Sequence, residues 1–257
     1  MTAAVRSAGS SRRTGAGERA GRRAATRFLT FLALVLTGLC AAAPASAQLG
    51  ATFSLESDYR WRGYSMSDGR PAATAQLNSD DASGFYLNLS GSSQLAPDGP
   101  HFLAFQANAG FARQLGPSVT IDAGIVRSDF RRLYRRGPQR HYSEAYAGLS
   151  YKRVTGRLYY SPDYYGDAAT LYGEIESYVE PLANWRVNAH AGALHYLTLP
   201  RYLSSRSLRY DWRIGLARQL GPIELHTALS GGGPGQDYYR GRNRGRTALT
   251  VGASWSF

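Results

Sequence analysis

The chain has 257 residues and carries 30 Lys and Arg against 18 Asp and Glu, a net charge of +12, with a single cysteine. Seven of the basic residues and one acidic residue fall within 1–47, so the remainder keeps 23 and 17, a net charge of +6. With Cys40 in that leading segment, residues 48–257 have no cysteine, which excludes disulfide and thiolate chemistry from them.

Residues 1–27 are arginine-rich, 28–43 form an apolar run, and Ala45-Ser46-Ala47 follow as small residues. This order predicts a secretory signal peptide over 1–47, cleaved before Gln48; the run is short for an uncleaved membrane anchor. The arginine pairs 12–13 and 22–23 do not lead directly into the apolar run, which favours the general secretory route over a twin-arginine one. Leu39 before Cys40 is too large for a lipoprotein cleavage site.

From Gln48 onward no apolar run is long enough for a transmembrane helix, and apolar and polar residues alternate with period two. Phe53, Leu55, Tyr59 and Trp61 share one face, with Ser57 the exception. Leu103 to Phe111, Tyr210 to Leu216 and Leu249 to Phe257 repeat the pattern. Continued along the chain, it predicts twelve strands at 51–62, 71–78, 85–92, 102–114, 119–128, 141–151, 156–165, 170–180, 185–196, 208–219, 223–230 and 246–257. Short turns at 80–84, 116–118, 152–155, 181–184 and 221–222 alternate with mostly longer links, including 93–101, 129–140, 197–207 and 231–245.

Short turns at one end and long loops at the other are the pattern of an outer-membrane barrel. The expected fold is all-β: one transmembrane antiparallel up-and-down β-barrel of about twelve strands, within a range of ten to fourteen, over 48–257. Aromatic residues at strand ends read as two interfacial girdles: Phe85, Phe111, Tyr151, Trp185, Trp255 and Phe257 at the short turns, and Tyr59, Trp61, Tyr210 and Trp212 toward the long loops. A soluble sandwich with aromatic core residues is the competing reading of the same periodicity. The last strand ends on Phe257, which resembles the signal read by the outer-membrane assembly machinery, an expected partner.

Three segments resemble the TorF porin family: SDYRWRGYSMSDGRPA at 57–72, YSEAYAGL at 142–149 and YSPDYYG at 160–166. The likeness extends over nearly all of 48–257 and implies an outer-membrane barrel of porin type, with no catalytic residues to carry over. The arginine-rich stretch 127–140 departs from the family pattern.

If the apolar face meets lipid, parity turns Glu56, Asp58, Arg60, Arg62, Asp122, Glu144, Arg157, Glu174, Glu176, Arg186, Asp211, Arg213 and Glu224 inward as pore-lining candidates, with His190 and His226. The loops carry Arg127, Arg131, Arg132, Arg135, Arg136 and Arg140, and then Arg240, Arg242, Arg244 and Arg246. Arginine's planar fork suits phosphate, so these loops would bind lipopolysaccharide or draw anions to the pore mouth. An arginine-rich codon preference with basic loops lying on an anionic leaflet is the plainer account.

The expected function is passive passage of small hydrophilic solutes through the outer membrane, favouring anions. A non-conducting structural or surface barrel is the alternative, with lipid, lipopolysaccharide and small solutes as the expected partners. An enzyme is not expected. No serine sits in a nucleophile motif, the five histidines show no metal-ligand spacing, and His190 with Glu174 or Glu224 reads as a hydrogen-bonded wall. No metal or cofactor is expected. The glycine runs at 231–235 and 241–245 lack the strand and helix of a phosphate cradle, and export argues against nucleic acid as a partner.

Overall fold

The computed structural model describes residues 47–130, 140–166, 168–198, 208–233 and 247–257. The expected signal segment lies outside the described residues, apart from Ala47. Fourteen strands follow in order: β1 (Ala47–Glu56), β2 (Arg60–Trp61), β3 (Tyr64–Ser65), β4 (Ala72–Asp81), β5 (Phe85–Ala96), β6 (Gly99–Gln114), β7 (Val119–Phe130), β8 (Arg140–Tyr151), β9 (Val154–Tyr164), β10 (Ala168–Leu182), β11 (Trp185–Tyr196), β12 (Leu208–Leu220), β13 (Ile223–Gly233) and β14 (Ala248–Ser256). Twelve of them close an antiparallel barrel in sequence order, and β2 with β3 forms a separate two-stranded hairpin.

Closure joins the two chain ends. Phe53 lies opposite Trp255 and Leu55 opposite Ala253. The Ala51 amide donates to the Phe257 carbonyl at 2.9 Å and the Phe257 amide returns the bond at 3.0 Å. This pairing leaves the barrel no open edge, the condition for a sheet surrounded by hydrocarbon. An even strand number puts both ends at the rim that carries the short turns.

Burial is inverted relative to a water-soluble barrel. Leu249 is 68% exposed and Ile125 64%, whereas Glu144 is 2% exposed and Thr170 0%. In β8 the inward set is Tyr142, Glu144 and Tyr146, while Ala145, Ala147, Leu149 and Tyr151 face out. An apolar exterior this extensive is not compatible with water on all sides; the competing sandwich reading fails on it. The girdle aromatics Phe85, Phe111, Tyr151, Tyr210, Trp255 and Phe257 are on this exposed exterior.

Three expectations need correction. The first barrel strand runs over Ala47–Glu56, not 51–62, and the chain leaves the wall at Ser57, whose amide still bonds the Val251 carbonyl at 2.8 Å. Ser57, the exception to the apolar face, marks that departure. Tyr59 and Trp61 therefore do not belong to a lipid-facing girdle: both are partly buried and pack on the interior aromatic cluster. The connection expected at 93–101 shrinks to a tight hairpin, because β5 continues to Ala96 and β6 begins at Gly99.

Candidate functional site

The site starts from a turn. Between β2 and β3, Arg62 and Gly63 both take positive φ, 46° and 78°, the geometry of the two-residue turn whose twist suits a hairpin. A second such pair, Asp68 and Gly69 at 62° and 67°, turns the chain back toward β4. Asp58 clasps the whole segment: its Oδ1 accepts from the hydroxyls of Ser65 at 2.6 Å and Ser67 at 2.9 Å and from the Gly69 amide at 3.2 Å. Its Oδ2 accepts from Arg60 at 3.1 Å.

This clasped hairpin folds into the barrel and spans it. On the near side, Gln94 of β5 donates to the Ser67 carbonyl at 2.8 Å. On the far side, the Trp61 indole donates to the Tyr142 hydroxyl at 3.0 Å. Arg62 reaches Glu144 with bonds of 2.9 and 2.8 Å to the two carboxylate oxygens. The guanidinium carbon lies 3.8 Å from the Tyr172 ring centre and 5.5 to 5.7 Å from the rings of Trp61, Tyr159 and Tyr164. Gly63 is needed at the tip: a β-carbon there would sit 2.7 Å from the Gly231 carbonyl oxygen and 2.8 Å from Asp211 Cβ.

Beneath the hairpin lies a cavity of about 620 Å³. The hairpin residues Asp58, Arg60, Trp61 and Arg62 form one side of it. Strands β4 to β6 contribute Thr74, Gln76, Asn88, Ser90, Gln106 and Asn108, all neutral. Strands β8 to β13 contribute Glu144, Arg157, Tyr159, Tyr172, Glu174, Glu176, His190, Asp211, Arg213 and His226, and Glu56 comes from β1. Among the described residues the lining holds six carboxylates, four guanidinium groups and two imidazoles.

The charges pair across neighbouring strands, as expected for a narrow wet interior. Arg157 donates to Asp122 at 3.0 Å, and Tyr159 donates to Glu174 at 2.8 Å. His190 Nε2 is 2.7 Å from Asp211 and its Nδ1 is 3.6 Å from Glu176. His226 lies 3.8 Å from Glu56, and Arg186 pairs with Glu224. Tyr86 of β5 and Tyr146 of β8 share a short hydroxyl contact over Gly110 and Gly124 of the two strands between them.

Of the inward candidates, Glu56, Glu144, Arg157, Glu174, Glu176, Asp211 and Arg213 stand on the barrel wall at the cavity. Asp58, Arg60 and Arg62 also face it, from the inserted hairpin and not from a continuation of β1. Asp122, Arg186 and Glu224 are absent from its lining; the Arg186–Glu224 pair flanks a smaller pocket with Leu182 and Asn184, near the short turns. The expected partner of His190 was Glu174 or Glu224, and the structure supplies Asp211, Glu176 and the Tyr172 hydroxyl. The interior tyrosines Tyr142, Tyr146, Tyr159, Tyr164 and Tyr172 are not among the expected site residues. Parity with Glu144 on β8, Arg157 on β9 and Glu174 on β10 signals four of them, whereas Tyr164 has the opposite parity to Arg157 and turns inward at a register shift between β9 and β10.

Two of the expected loop arginines belong to strands, because β7 runs on to Phe130 and β8 begins at Arg140: Arg127 stands on β7, where it bonds Ser143 Oγ at 3.0 Å and lies 3.8 Å from Asp129. Arg131, Arg132, Arg135, Arg136, Arg240, Arg242, Arg244, Arg246 and the side chain of Arg140 lie outside the described residues. Among the described residues no three His, Cys, Asp or Glu side chains are grouped to hold a metal. His190 is held between the Tyr172 phenol and the carboxylates of Asp211 and Glu176.

A closed twelve-stranded barrel, apolar outside and polar within, defines the class: a β-barrel with the fold of outer-membrane porins. The chain belongs to the family described as "Bacterial protein of unknown function (Gcw_chp)", whose model matches residues 41–253. No curated protein matches it in sequence. Among solved structures, a NanC porin is similar at 13% identity and a TM-score of 0.53, over 81% of this chain and 99% of the other. A KdgM porin gives 12% identity and 0.48, over 81% and 99%. The outer membrane channel DcaP of Acinetobacter baumannii gives 11% and 0.39, over 84% and 99%. At such identities the NanC likeness establishes fold alone.

Proposed function

We propose that this chain is an outer-membrane porin that passes small hydrophilic solutes by diffusion, through a lumen narrowed by the inserted hairpin. The observation that carries the reading is a polar cavity of about 620 Å³ inside a closed barrel with an apolar exterior. The same inversion supports a place in the outer membrane, since only lipid accepts such an exterior without cost. The likeness of 57–72 to TorF porins agrees, because that segment is the hairpin itself.

Anion preference was the expectation from the arginine loops. The described cavity lends that preference no support of its own, since its lining sets six carboxylates against four guanidinium groups and the imidazoles of His190 and His226. A lipopolysaccharide-binding role for those loops stands as a separate proposal, tested by affinity for lipid A phosphates.

A second reading has its own support. The hairpin crosses the lumen and is fixed on both sides, which suits a non-conducting structural barrel. Planar-bilayer recording of the refolded protein separates the two: discrete steps with each insertion support the porin, and repeated silent insertions support the plugged barrel.

A further inference from the structure

The pocket around the Arg62 guanidinium has the make-up of a site for an organic cation. One side chain lies stacked on Tyr172 at 3.8 Å, within 5.7 Å of three more aromatic rings, and is gripped by both oxygens of Glu144. A ring of π faces with one carboxylate is how proteins recognise guanidinium and alkylammonium groups. Here the occupant belongs to the protein itself, delivered on a two-residue turn.

We infer that this aromatic and carboxylate cage is a recognition site for guanidinium or alkylammonium groups, with Arg62 as its built-in occupant, and that the barrel favours cationic solutes. Glu144 is 2% exposed, so its carboxylate cannot be compensated by bulk water if Arg62 leaves; a cation or a proton must replace it. Below the cage, Glu174 and Glu176 of β10 and Asp211 of β12 share the cavity wall with Arg157, Arg213 and His190, so selection for a cation rests on the cage itself. The cage itself does not depend on conduction, whereas its role in choosing the solute rests on the porin reading.

The turn makes a clean test possible. Arg62 has φ of 46°, a conformation that glycine adopts without strain, so Arg62→Gly empties the cage and spares the hairpin. Methylguanidinium is the probe and methylurea its neutral isostere, with binding followed by saturation-transfer NMR on the refolded full barrel in detergent. The expected result is saturable methylguanidinium binding to Arg62→Gly at least tenfold tighter than to the native barrel, and at least tenfold tighter than methylurea. Adding Glu144→Gln should remove the preference.

A folded Arg62→Gly barrel that binds neither probe, or binds both equally, overturns the site. If Arg62→Gly does not assemble, Arg62→Asn serves, since asparagine also tolerates this φ. If neither assembles, methylguanidinium and not methylurea should restore refolding, and failure of that rescue also overturns the site. None of these readouts involves conductance, so a silent barrel that binds methylguanidinium would refute the porin reading and keep the cage.

Discussion

Two arcs of one inner wall are built from different chemistry. Strands β4 to β6 present Thr74, Gln76, Asn88, Ser90, Gln106 and Asn108, which bond locally: Gln76 donates to Asn78 at 2.8 Å, and Thr74 and Ser92 hydroxyls meet at 2.9 Å. Strands β8 to β12 present tyrosines, carboxylates and arginines that bond across strands and to the hairpin. Tyr146, Tyr159 and Tyr172 run side by side over β8 to β10, with ring centres 5.2 and 5.9 Å apart. Rigidity and discrimination reside in the charged arc. A neutral arc can exchange its hydrogen bonds with water or a sugar hydroxyl at little cost, whereas a buried ion pair cannot be opened without a substitute.

The contrast can be broken most strongly at Glu144. Glu144→Ala leaves the Arg62 charge buried without its carboxylate and should lower stability by about 3–5 kcal/mol, read from urea unfolding of the barrel in bilayers. A loss below about 1 kcal/mol would make the pair no different from an exposed one. The exterior should show no such asymmetry. Ile125 on β7 and Ile175 on β10 are both exposed and near mid-strand, so arginine at either should cost about 2–4 kcal/mol in lipid. A negligible cost at both would place these faces away from hydrocarbon.

Smaller effects sharpen the picture. Gly63→Ala forces a side chain into a left-handed turn and against Gly231 and Asp211, and should cost about 1–3 kcal/mol while unseating the hairpin tip. Its readout is a changed unitary conductance together with a lower unfolding midpoint. Gln106→Ala, on the neutral arc, removes one bond of 3.1 Å to Ser128 and should cost about 1 kcal/mol or less, with ion selectivity unchanged. A selectivity shift at Gln106 as large as at Glu174→Gln would erase the distinction between the arcs.

Most of the barrel was legible because a side-chain period of two survives wherever one face meets lipid and the other water. The twelve strands and the short turns follow from that alone. The hairpin was missed for a physical reason: Tyr59, Arg60, Trp61 and Arg62 continue the alternation, so a segment inside the lumen imitates a strand in its wall. Two signals stood against it, the polar Ser57 on the apolar face and the turn pairs Arg62-Gly63 and Asp68-Gly69, each able to take positive φ. The inward charges were legible by parity, but their partners were not. Pairing depends on stagger between strands, which brings Asp211 and not Glu224 to His190. Tyrosine was ambiguous in principle, since its ring suits an interfacial girdle and its hydroxyl suits a wet interior.

Passive diffusion requires a water-filled lumen enclosed by a lipid-facing wall and narrowed by the 57–71 hairpin. Single-channel recording in planar bilayers, comparing the native barrel with Arg62→Gly under a salt gradient, tests it most directly. Small uniform steps are expected from the native protein, larger ones from the variant, and a reversal potential on the cation side in both. Silent insertions from both proteins, or a clear anion preference, would contradict it.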